Sequence, residues 1–197
     1  NYIITDQNTT SANITSRPAG VTGITVFGLT LNNKIYDGTV TAPLDTSNIS
    51  YSGLVEGDDF TGSYTGAFAN ANVGTGKTVT ITPSYSGADV SNYSVTDHAD
   101  LTANITVRSL TVSGVAASDK TYDGSVTAIM DSSSAVYSGF VSGDDFAASY
   151  SGVFANANVG SGKTVTITSS YAGADVSNYN ITNQSSTTAD INKKVLL

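Results

Sequence analysis

A mainly β fold, built from tandem small domains, follows from three observations on the sequence. The chain repeats itself at an offset of 86 residues (122 − 36), which carries Lys34-Ile35-Tyr36-Asp37-Gly38 onto Lys120-Thr121-Tyr122-Asp123-Gly124. The same offset carries Gly57-Asp58-Asp59-Phe60 onto Gly143-Asp144-Asp145-Phe146, and Asn92-Tyr93 onto Asn178-Tyr179. Apolar residues alternate with hydroxyl residues, the period of a half-buried strand, and Gly, Asn and Asp break the chain at short intervals with no 3.6-residue stripe. These features predict β-domains of about 86 residues arranged end to end, as immunoglobulin-like sandwiches or as grasp-like sheets.

Taken in order, residues 1–23 read as the tail of a preceding repeat plus a linker. Asn1-Tyr2 and Ala12-Asn13-Ile14 have the spacing of Asn92-Tyr93 and Ala103-Asn104-Ile105, and Pro18-Ala19-Gly20 suggests a bend. The first repeat domain spans 24–107, the second 108–192, and 193–197 read as the start of a following repeat. The two repeats align without a gap and are identical at roughly three-fifths of positions, as tandem arrays are. Within the first, strands are expected at 24–27, 77–82 and 101–107, with shorter β-prone runs at 39–42, 49–55, 60–64 and 93–96. Residues 68–73, rich in Ala and Asn, allow one helical turn. Between the repeats, 101–115 offers no flexible spacer, so a last strand should run almost directly into the next first strand.

Composition narrows the function classes. The chain has 197 residues, 12% charged, with a formal net charge of −8 and no cysteine. An acidic chain lacks the Lys and Arg stripes that phosphate backbones call for, and no apolar run approaches the ~20 residues of a membrane-spanning helix. Neither a nucleic-acid partner nor membrane insertion is expected. Thiol chemistry is excluded, and the single histidine, His98, becomes Gln184 in the second repeat, so no repeated histidine site exists. An enzyme is not expected.

Each conspicuous motif has a plain reading beside a chemical one. Tyr36-Asp37-Gly38 and Tyr122-Asp123-Gly124 read as turns: Asp bonds back to the backbone, Gly supplies a positive φ, and Tyr packs inward. Asp58, Asp59, Asp144 and Asp145, with Asp89 and Asp175, are the candidate ligands for Ca²⁺. Their spacing is that of turn acids rather than of an EF-hand loop, and no cofactor is expected. Gly74-Thr75-Gly76-Lys77-Thr78 and Gly160-Ser161-Gly162-Lys163-Thr164 end like a phosphate loop. However, Ala71 and Ala157 stand where its first glycine belongs, and an alternating strand follows where it needs a helix. Lys34, Lys77 and Asn92, with their copies Lys120, Lys163 and Asn178, are the residue types of an isopeptide crosslink, with no motif to select a trio. Tyr51, Tyr64, Tyr137 and Tyr150 are the aromatic candidates for stacking against a sugar; the plainer reading places them in the core.

In order along each repeat, Lys-x-Tyr-Asp-Gly, Gly-Asp-Asp-Phe, Phe-Ala-Asn-Ala-Asn-Val-Gly-x-Gly-Lys-Thr-Val, Gly-Ala-Asp-Val-Ser-Asn-Tyr and a closing Ala-x-Ile resemble the YDG-type repeats of large bacterial exoproteins. Those repeats occur with related MBG-type repeats in filamentous-haemagglutinin-like surface adhesins. The resemblance implies a stalk or spacer repeat at the bacterial cell surface, projecting an adhesive domain, with neighbouring repeats as its partners and no catalytic residue to carry over. The alternative is that the repeats themselves bind a glycan, a host matrix protein or a like repeat on another cell.

Overall fold

A computed structural model describes residues 12–13 and 23–195. The expected tail at 1–14 and the bend at 18–23 fall almost wholly outside the described residues. Regular structure among them is β-strand, apart from two 3₁₀ turns at Val90–Asn92 and Val176–Asn178. Contacts gather the chain into two compact units whose limits cut across the sequence repeat. The first holds Thr41–Phe68 and Thr78–Thr102 with the described residues up to Asn32; the second holds Asn33–Val40, Ala69–Lys77 and everything described from Ala103 onward.

In the first unit, Ile24–Phe27 is the middle strand of a three-stranded sheet. It runs antiparallel to Ser50–Ser52, with Val26 opposite Tyr51, and parallel to Val95–Thr96, with Ile24 opposite Val95. Apolar–hydroxyl alternation explains which side is buried: Ile24 and Val26 point inward and Thr25 lies at the margin, as a period-two strand requires. A long hairpin supplies the second layer, with Thr61–Phe68 antiparallel to the strand Gly74–Ser86 from Thr61–Ser86 to Phe68–Val79. The core consists of Ile24, Val26, Leu29, Ala42, Phe60, Phe68 and Val79. Around Phe60 the rings of Tyr51, Tyr85 and Tyr93 pack at centroid distances of 5.2, 5.4 and 5.9 Å, within the range where tilted and edge-to-face pairs attract.

The second unit repeats this plan. Arg108–Ser113 lies between Val136–Ser138, antiparallel, and Tyr179–Thr182, parallel. A five-stranded sheet follows the order Lys120–Thr121, Ser186–Asn192, Gly160–Ala172, Ala147–Phe154, Thr127–Ala128, with the first pair parallel and the rest antiparallel. One cluster of its core joins Ala128, Phe154, Val165, Ala189 and Ile191; another joins Val112, Val115 and Ile167; Met130 packs against both. Lys34–Ile35, also in this unit, pairs in parallel with Ile105 and Thr106. Only Val107 separates the strand Leu101–Thr106 from Arg108–Ser113.

Two local expectations differ from what forms, and one irregularity is added. Residues 69–73 make no helical turn: the Asn70 side chain accepts the Asn72 amide at 3.1 Å and the Lys77 ammonium at 2.6 Å, local bonds that compete with helix. The run at 39–42 contributes only an isolated bridge, Thr41 to Ala67. In the Gly-x-Gly-Lys segment of the second repeat, the register shifts between Gly160 and Lys163. Gly162 there has φ +58° and donates its amide to Asp190 at 2.7 Å, so these glycines set a bulge.

Candidate functional site

Within the second unit, the most elaborate polar constellation starts from the Tyr36-Asp37-Gly38 turn. Pairing of Lys34–Ile35 with Ile105 and Thr106 continues through the Tyr36 amide, which donates to the Thr106 carbonyl at 2.9 Å. Asp37 Oδ1 closes the turn, accepting the Thr39 amide at 2.9 Å and its hydroxyl at 2.8 Å. The Lys34 ammonium lies 2.7 Å from the same oxygen. Gly38 follows at φ +77°, a conformation that suits glycine. Burial raises the Asp37 carboxyl's pKa, but the Lys34 ammonium and the Thr39 donors outweigh it and leave the group below its ordinary value.

This turn aims the Tyr36 ring at Asp144. The Tyr36 hydroxyl lies 3.0 Å from both carboxylate oxygens, and the Tyr179 hydroxyl donates to Asp144 Oδ2 while accepting the Val141 amide at 2.9 Å. The two rings meet edge to face, with centroids 5.7 Å apart. Arg108 braces the group from below: its Nε donates to the Gly139 carbonyl at 2.6 Å and its Nη1 to the Tyr36 carbonyl at 3.4 Å. Burial, followed by the bond to Asp144, raises the pKa of both phenols, that of Tyr179 to about 12. Both hydroxyls therefore stay protonated as donors across neutral pH.

Asn178 makes a second contact beside the first. It is 1% exposed. Its Oδ1 accepts the Val73 amide at 3.0 Å, and its Nδ2 lies 3.3 Å from Asp175 Oδ1 and 3.4 Å from Asn72 Oδ1. A buried amide satisfied in this way holds the 69–77 loop in register with the Val176–Asn178 turn.

Asp59, Asp89, Asp145 and Asp175 are committed to backbone. Asp59 accepts the Ala88 amide at 3.0 Å while Asp89 accepts the Asp59 amide at 2.9 Å; Asp145 and Asp175 form the same clamp with Ala174, at 2.9 Å for each bond. Asp58 accepts the Tyr93 hydroxyl as Asp144 accepts that of Tyr179. Among the described residues, no group of three or more His, Cys, Asp or Glu is placed to hold a metal ion. The candidate sugar-stacking tyrosines meet in pairs: the hydroxyls of Tyr51 and Tyr64 are 3.4 Å apart, and those of Tyr137 and Tyr150 are 3.0 Å apart. All four rings are half-buried. Lys77 and Lys163 reach the side chains of Asn70 and Asn156 at 2.6 Å, and Lys34 and Lys120 serve their own turns.

Tyr122-Asp123-Gly124 forms the same turn as its copy, with Lys120 2.7 Å from Asp123 and the Ser125 amide 2.9 Å from the same carboxylate. Its tyrosine does not pack inward. Tyr122 is 42% exposed, against 2% for Tyr36, because Tyr36 has Asp144 and Tyr179 to rest on. The Asp144 and Asn178 contacts have no local signature in the sequence; the only signal was the recurrence of Asp-Asp-Phe and Asn-Tyr at the repeat offset.

Geometry and topology together define a tandem all-β repeat of which one copy supplies parts of the next copy's compact unit. The chain belongs to the YDG domain family, whose model matches residues 18–102 and again 106–189. No curated protein and no solved structure matches the chain.

Proposed function

We propose that the chain is a length of spacer in a bacterial extracellular adhesin, a stalk of tandem repeats holding an adhesive domain away from the cell surface. One observation carries this reading. The Tyr36 turn and the Asn72-Val73 loop of the first repeat are built into the compact unit of the second by Asp144 and Asn178. A repeat that lends its edge to its neighbour is suited to an array whose length grows with repeat number. Few charges and many exposed hydroxyls favour solubility without broad apolar patches. The partners in this reading are neighbouring repeats, and no catalysis or cofactor is required.

Small-angle scattering on the chain, with and without Ca²⁺, tests the proposal. A single extended particle in both conditions is the expected result. A compact or widely variable particle in both overturns the stalk reading, and extension only with Ca²⁺ replaces it with a metal-stiffened one.

Direct ligand binding is the second reading, favoured by a cavity that Tyr137, Phe140, Phe146 and Ala148 line. At about 170 Å³ it falls short of the ~300–1,000 Å³ typical of small-molecule sites. Its copy is not equivalent, since Leu54 and Gly62 stand for Phe140 and Ala148. The spacer reading accounts for more of the molecule. Titration with soluble oligosaccharides, comparing the chain with Phe140→Ala, tests the second reading; binding lost in that variant would establish it.

A further inference from the structure

Five asparagines among the described residues open an Asn-x-Ser or Asn-x-Thr tripeptide, the pattern that asparagine glycosyltransferases accept on surface loops: Asn48, Asn92, Asn104, Asn180 and Asn183. The fold separates them. The Asn104 side chain accepts the Gly76 amide at 2.8 Å, Asn183 accepts the Tyr171 hydroxyl at 2.6 Å, and Asn92 Nδ2 lies 3.3 Å from Asp89 Oδ1. Asn180 and Thr182 are fixed in the strand Tyr179–Thr182, beside Ser109 and Thr111. Of the five, Asn48 stands exposed on a turn that the Ile49 amide and the Thr46 carbonyl close at 3.3 Å, and its side chain bonds to no described residue. Ser50, two residues on, is exposed as well. The corresponding turn of the second repeat, at 132–134, is also exposed, so the position is open both in a repeat with another after it and in one with another before it. Beside the Asn48 turn sits an exposed ring. Phe27, 51% exposed, lies opposite Ser50 in the sheet, and the Asn48 carbonyl closes over Gly28, where an added Cβ would collide with it. The second repeat carries none of the three, with Ser113, Ser134 and Val136 in place of Phe27, Asn48 and Ser50.

We propose that Asn48 is a glycosylation site, taking a sugar from a phosphate-activated donor and laying it against the Phe27 ring. Asn48 Nδ2 attacks the anomeric carbon of the donor. The bond from that carbon to the phosphate oxygen breaks, the phosphate leaves with the electron pair, and a base of the transferase takes one amide proton. Ser50 supplies the hydroxyl that the transferase reads two residues on. The apolar face of a sugar stacks on an exposed aromatic ring, which gives Phe27 a contact that the sheet does not supply. The inference goes beyond the spacer reading and rests on it only for a cell-surface setting, where a sugar coat is presented.

Peptide mass spectrometry of the whole chain, co-expressed with an Asn-x-Ser/Thr glycosyltransferase and a control acceptor peptide, tests it. One arm uses a soluble transferase fed by a sugar nucleotide, the other a membrane transferase fed by a lipid-linked oligosaccharide; the arm that adds mass names the donor. Sugar is expected on Asn48 at several-fold higher occupancy than on the other four asparagines. Asn48→Gln and Ser50→Ala should each abolish it, and Ser50→Thr should retain it. The modified chain should also melt above the bare one, an increment that Phe27→Ala removes while the sugar stays attached. An unmodified Asn48 beside a modified control in both arms, or equal occupancy at the other four, overturns the site. An increment that survives Phe27→Ala overturns the stacked arrangement. An unmodified Asn48 in a particle that scattering shows extended leaves the spacer reading standing, whereas a glycosylated chain that is compact removes that reading alone.

Discussion

Tyr36-Asp37-Gly38 and Tyr122-Asp123-Gly124 are the same residues folded into the same turn, yet one tyrosine is buried and the other faces solvent. Both turns carry the lysine bridge at 2.7 Å, and both glycines sit near φ +78°, at +77° and +79°. Local chemistry therefore specifies the turn, and what lies beyond it determines the fate of the ring. A repeat encodes both halves of a contact, but on different edges, so a given copy satisfies one half only where a neighbour supplies the other.

The largest test of this comparison is truncation of the two rings. Tyr36→Ala should cost about 3–5 kcal/mol, as large-to-small changes at buried aromatic sites do, while Tyr122→Ala should stay within about 0.5 kcal/mol. Urea unfolding of both variants would measure the gap, and equal costs would mean that Asp144 contributes little. A sharper control lies where the two repeats should agree. Gly87 and Gly173 have φ +126° and +124°, and a Cβ there would fall 2.2 and 2.1 Å from the carbonyls of Asp59 and Asp145. Alanine at either position should cost about 3 kcal/mol, and a large difference between the two would show that the repeats are not equivalent inside.

Next in size is the asparagine pair. Asn178→Ala removes a buried side chain and takes the acceptor from the part-buried Val73 amide, a loss of about 1–3 kcal/mol, whereas Asn92→Ala at an exposed position should change stability by less than about 0.5 kcal/mol. Thermal unfolding of the two variants side by side reads that difference. The smallest effect is on pH. Tyr36 and Tyr179 have raised folded pKa values, from burial first and the Asp144 bond second, that of Tyr179 reaching about 12. Their contribution is complete below the ordinary phenol value of about 10 and is lost as pH rises through the folded value. Tyr36→Phe should flatten the alkaline limb of the stability curve, and Tyr122→Phe should leave it unchanged. At the acid end, Asp37 and Asp123 both lie below their ordinary value. The two turns should therefore weaken together as pH falls below the usual carboxylate range, which denaturant curves of Asp37→Asn and Asp123→Asn can compare.

Much of the fold was legible because it depends on local pattern. The run at 24–27 forms Ile24–Phe27, 77–82 lies inside Gly74–Ser86, and 101–107 gives Leu101–Thr106, all strands with apolar residues at alternate positions. Turn chemistry was equally plain at Asp37 and Asp123, where a side chain reaches two residues ahead. The parallel pairings were not legible: alternation fixes which face of a strand is buried and says nothing of which strand lies beside it. Nor was the Asp144 site, since its partners lie 108 residues apart along the chain for Tyr36 and 35 for Tyr179. The helical turn that Ala allows at 68–73 gives way to the side-chain bonds of Asn70, which composition does not display.

The parallel pair made by the opening strand of each repeat has a mechanical consequence. Arg108 to Thr111 lie beside Tyr179 to Thr182, and Ile24 and Thr25 lie beside Val95 and Thr96. A force that draws one strand of such a pair along its length slides it past its neighbour, and their hydrogen bonds, which run across the strands, must break together rather than one at a time. Drawing out the opening strand of either repeat is therefore resisted in shear.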